Sequence, residues 1–122
     1  MNVSDQELND ILAAALDALP EKRVRGLRNV LITYEDEPSD EQLQKQGVRQ
    51  GIELLGLYEG IPLTQRNAAY NMVIPDRITI FKNPIIRVTR TMPAFIEQVR
   101  KTLWHEIAHY YGLDHKRIHE LE

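Results

Sequence analysis

The chain has 122 residues, 43% hydrophobic and 27% charged, a balance ordinary for one globular domain able to bury a core without staples. A net charge of -3 argues against a nucleic-acid partner, which calls for a basic face. There is no cysteine, so neither a disulfide framework nor a thiolate metal site can form, and any metal must rest on His, Asp or Glu.

The opening, MNVSDQELND, is acidic and polar, with neither the basic start nor the apolar run of a signal peptide. No apolar run approaches the roughly 20 residues of a membrane span. The expectation is a cytoplasmic chain with no membrane partner, forming a single domain over residues 1–122. Ser4 and Glu7 form an S-x-x-E capping box, and Leu8, Ile11, Leu12, Ala15, Leu16 and Leu19 follow at helical spacing up to Pro20. A helix from about 4 to 19 is predicted, then a charged connector, EKRVRGLRN. VLITYED, Val30 to Asp36, has the β-branched and aromatic content of a strand. Ser39 and Gln42 make a second capping box ahead of a short helix.

In IELLGLYEGIPLTQR, Gly56, Gly60 and Pro62 break any long element, which suggests a short strand near 53–58 and then an ordered loop. RITIFKN alternates, with Ile78 and Ile80 on one side and Thr79 and Phe81 on the other, as a strand does. PIIRVT reads as a further extended piece. Thr91 can cap a last helix with Pro93 just inside, running to about Tyr111, with Gly112 at the left-handed position past its end.

That helix carries the chemistry. All four histidines lie in the last eighteen positions, three of them in LWHEIAHYYGLDH. His105-Glu106-x-x-His109 puts two imidazoles four residues apart, on one helix face, where both can hold one ion. Glu106, turned about 100° from His105, is placed to reach a metal-bound water. The ion makes the water acidic and the carboxylate takes its proton, which is the chemistry of hydrolysis. Gly112 and His115 extend the pattern to H-E-x-x-H-x-x-G-x-x-H: the glycine lets the chain turn back so that His115 can approach as a third ligand. Three protein ligands with one open position describe a catalytic zinc site.

The extended motif resembles the metzincin branch of zinc metallopeptidases. Through NVLITYEDEPS, LLGLYEGIPLTQR, PDRITIFKNPI and VRKTLWHEIAHYYGLD, the chain more closely resembles a small bacterial family of minimal zincin-like metallopeptidases. The resemblance implies an α+β, minimal zincin-like fold: a small mixed sheet backed by the N-terminal helix, with a C-terminal active-site helix. It also implies Zn2+ held by His105, His109 and His115, with Glu106 as catalytic base. Two departures stand out. The last methionine is Met92, so the methionine turn of metzincins is absent. Members of the small family often carry an acidic or small polar residue near the third-ligand position, which leaves Asp114, His119 and Glu120 as competitors to His115.

The predicted activity is a zinc metallopeptidase acting on peptides or unfolded protein. A non-catalytic zinc-binding module and a zinc hydrolase of another amide or ester are the alternatives. Glu106 favours hydrolysis over a structural site, which needs no carboxylate there. Tyr58 or Glu59 can meet substrate or simply pack; RITIF can present a strand edge to an extended peptide or lie inside the sheet. Arg66 and Arg77 can neutralise a substrate charge or form surface pairs, and Trp104 is expected in the core.

Overall fold

The computed structural model describes residues 1–27, 29–61 and 75–112. Helix α1, Asp5–Asp17, begins at the predicted box: Ser4 Oγ accepts from Glu7 N–H and Glu7 Oε1 from Ser4 N–H, both at 3.1 Å. Its buried residues, Leu8, Leu12 and Ala15, recur at helical spacing and set the face that meets the core. The expected connector after it holds a five-residue helix instead, α2, Glu21–Arg25. Pro20, pre-set in φ, starts the turn, and a Glu21–Arg25 ion pair at 3.5 Å spans it.

Strand β1, Val30–Glu35, and the capped helix α3, Asp40–Lys45, lie where the sequence places them. Strand β2 is shorter and later than expected, Gly56–Glu59. Strand β3, Asp76–Phe81, is the centre of a three-stranded sheet of order β1-β3-β2, parallel to β1 and antiparallel to β2. The RITIF segment therefore lies inside the sheet, and within this sheet β1 and β2 are the edges. Ile78, Thr79, Ile80 and Phe81 are all fully buried, so both faces of β3 are covered and its alternation marks no solvent side.

PIIRVT is helical, which corrects the extended reading: α4, Lys82–Val88, follows β3 directly. Pro84 sits in the first turn, where a missing N–H costs nothing, and Ile85 turns into the core. Helix α5, Met92–Tyr110, opens on Thr91, whose side chain accepts from Ala94 N–H, with Pro93 in the first turn as expected. Phe95, Val99, Leu103 and Ile107, four residues apart and fully buried, join Leu8, Leu12, Ile78 and Ile80 in one cluster between sheet and helices. Among the described residues, no helix is long and apolar enough to cross a membrane.

Candidate metal centre and active site

While one face of α5 fills the core, another presents the motif. His105 and His109 lie one turn apart with ring centroids 4.6 Å from each other and both are partly exposed. Glu106 is buried, at 6% exposure, and its Oε1 lies 3.5 Å from His109 Nδ1. One donor atom from each of the three lies within 4.8 Å of the other two. Two imidazoles gathered this closely suit zinc, a borderline ion that takes nitrogen donors, with the carboxylate beside them.

Burial pushes the Glu106 carboxyl up to about 7, against the opposing pull of a backbone N–H from Tyr58. That amide donates to Oε1 at 3.0 Å, from the edge strand β2. The contact depends on how closely β2 approaches α5. A Cβ on Gly56 would fall 2.5 Å from Thr102 Cγ2, 3.3 Å from the Thr79 carbonyl oxygen and 3.5 Å from Glu106 Cγ. Only glycine leaves that seam its present width. Tyr58 is held in turn: its hydroxyl donates to Asp76 Oδ2 at 2.6 Å, and its ring meets Tyr110 edge-on at 6.2 Å.

The end of α5 is also fastened. Gly112 follows the cap residue Tyr111 with φ at 78°, the left-handed exit expected from the sequence, and its N–H donates to His109 O at 2.9 Å. The Tyr111 hydroxyl donates to the Arg23 carbonyl and the Arg23 guanidinium lies 5.3 Å from the Tyr111 ring centre. Tyr110 donates to the Gly26 carbonyl at 3.3 Å. Helix α2 thus anchors the turn after the second histidine.

The structure brings His105, Glu106 and His109 together. His115, with its competitors Asp114, His119 and Glu120, lies outside the described residues, as do Arg66 and the loop after Ile61. Arg77 is exposed and stands opposite Glu59 in the sheet, at the end of β2 away from Gly56. Glu59 is exposed and accepts from Gln42. Trp104 is buried, as expected. The Tyr58 side chain packs, but its backbone amide reaches the site, which no residue type could announce. Gly56, set between apolar residues, was the available signal of a close approach.

A cleft of about 330 Å³ opens beside the motif, bounded by Leu54, Leu55 and Gly56 on one side and by Lys101, His105 and Glu106 on the other.

The profile of the family described as zincin-like metallopeptidase matches residues 27–122. A solved structure, a conserved hypothetical protein from Thermo thermophilus, is similar with a TM-score of 0.60 and 20% identity, over 89% of this chain and 94% of that one. At that identity the likeness concerns the fold. A search of curated proteins returns no match.

Proposed function

Because the chain belongs to the zincin-like metallopeptidase family, we propose that it is a zinc-dependent peptidase in which His105 and His109 are ligands and Glu106 is the general base. His115 is the proposed third ligand, with Asp114 and His119 as the residues that could replace it. The observation that carries the reading is the gathering of two imidazoles around a buried carboxylate at the mouth of a cleft. Zinc bound there would polarise a carbonyl and lower the pKa of its water from ~15.7 to about 7.

The chain's own groups divide the remaining work. Tyr58 N–H holds Glu106 Oε1 and so steadies the carboxylate that would take a proton from water and pass it to the departing amine. Burial raises the proton affinity of the carboxyl, which favours that task. With Oε1 fixed, the carboxylate is oriented before substrate arrives. The proposed substrates are peptides or unfolded protein.

Elemental analysis of protein purified without chelator should find close to one zinc per chain, and a fluorogenic peptide library should be cleaved by that preparation. A His105→Ala, His109→Ala double variant should retain neither. Zinc held equally well by the double variant would remove these histidines from the site.

A further inference from the structure

We propose that Lys101 selects substrates that carry a carboxylate close to the scissile bond, seating it at the end of the cleft that begins at His105 and Glu106. The inference rests on the peptidase reading above and adds a substrate class to it. Lys101 lies four residues before His105, hence on the same face of α5 and about 6 Å back along its axis. The cleft of about 330 Å³ connects the two positions. Between Lys101 and the His105–Glu106 end its walls are uncharged: Leu54, Leu55 and Gly56 line one side, and Gln98 donates to the Thr102 hydroxyl at 3.0 Å on the other.

Into this passage, at the end away from Glu106, Lys101 brings an exposed ammonium with no carboxylate at ion-pair distance among the described residues. Its helix neighbour Glu97 bonds Arg100 at 2.5 and 3.0 Å and also feels the Lys101 charge, without an ion-pair contact to it. A cation facing an apolar-walled cleft attracts an anion more strongly than one on an open surface, because the walls displace screening water. One residue of extended peptide spans about 3.3–3.6 Å, so a carboxylate one or two residues from the attacked carbonyl covers the distance. Two sources supply it: an acidic side chain, or the free C-terminus of the peptide.

The test compares matched fluorogenic peptides on the zinc-loaded full chain. One peptide is neutral and amidated. A second set places Asp or Glu at each of the two positions on either side of the cleaved bond, also amidated. A third is neutral with a free C-terminus. At least one carboxylate peptide should exceed the neutral one by about threefold to tenfold in kcat/KM, mainly through KM, with the advantage shrinking as salt rises. An advantage confined to the second set identifies an acidic side chain, and one confined to the third identifies the terminal carboxylate. Lys101→Gln should erase the preference and Lys101→Glu should invert it. Ratios that are the same in wild type and both variants overturn the proposal. Fluorescence anisotropy of the same peptides with metal-free wild type and Lys101→Glu separates this inference from the peptidase reading. If nothing is cleaved, that reading fails. Tighter binding of carboxylate peptides that disappears in Lys101→Glu still supports the seat, whereas equal binding removes it.

Discussion

At Glu106 a buried carboxyl meets the backbone N–H of Tyr58, and burial and this donor act in opposite directions on its proton affinity. Gln at this position keeps an acceptor for Tyr58 N–H and nearly the same volume, but cannot take a proton. Glu106→Gln should therefore leave zinc content close to wild type and lower kcat by ~10²–10⁴-fold, the usual worth of a positioned general base. Kinetics paired with metal analysis check this. Loss of zinc in the variant would make Glu106 part of the coordination, and undiminished turnover would take it out of the mechanism. Gly112 acts through its backbone. At φ of 78° any other residue is strained, so Gly112→Ala should cost on the order of 1 kcal/mol in chemical denaturation. Because the turn follows His109 directly and leads toward His115, zinc affinity should weaken as well. Wild-type stability and affinity together would show that the exit from α5 tolerates another geometry.

Between elements, the decisive seam is the one where β2 lies against α5. Gly56→Ala should push the strand away, lengthen the Tyr58–Glu106 contact and destabilise the fold by about 1–3 kcal/mol, the usual cost of an inserted methyl in a tight contact. Adding Thr102→Ser removes the Cγ2 methyl that the new side chain meets while keeping the hydroxyl that accepts from Gln98, so part of the loss should return in the melting temperature. No recovery would place the strain on the Thr79 carbonyl instead. A second junction involves Arg87 of α4, which bonds Glu37 after β1 and Glu53 before β2. The guanidinium holds both carboxyls below the ordinary value of 4.5. Depressed folded values mean that this stabilisation is present above about pH 4.5 and is lost as pH falls through the lower, folded values. All three side chains are partly exposed, so the network is worth on the order of 1 kcal/mol. The melting-temperature gap between wild type and Arg87→Met should be open at pH 7 and close toward pH 3; a gap that persists in acid would point to packing of the Arg87 stem. These junctions also mark what the sequence could and could not disclose. The helices with side-chain caps at Ser4, Ser39 and Thr91 were legible, because a cap is local chemistry. Helix α4 was not, because Ile85, Ile86 and Val88 carry strand propensity and tertiary burial of Ile85 overrides it. The histidine spacing disclosed the candidate ligands, whereas the Tyr58 amide that orients Glu106 depends on sheet register, which no local pattern contains.

At the scale of the molecule, the question is whether the proposed zinc holds the fold or only works within it. Helix α5 carries both roles on separate faces: Phe95, Val99, Leu103 and Ile107 are fully buried in the cluster shared with α1 and β3, while His105 and His109 remain partly exposed. The cluster needs no ion to assemble, so the metal-free chain should still unfold cooperatively. Binding to the native state alone nevertheless adds stability by mass action, about 4 kcal/mol at a free zinc concentration 1,000 times the dissociation constant. For a chain of this length that corresponds to a rise in melting temperature of about 10–15 °C. Chelation followed by calorimetry should therefore show a lower, still cooperative transition, and restored zinc should return it. In the His105→Ala, His109→Ala double variant, chelator and zinc should leave the transition where it is. A chelated wild-type chain with no transition at all would mean that the ion staples the structure, and the case for a catalytic site would then rest on Glu106 kinetics alone.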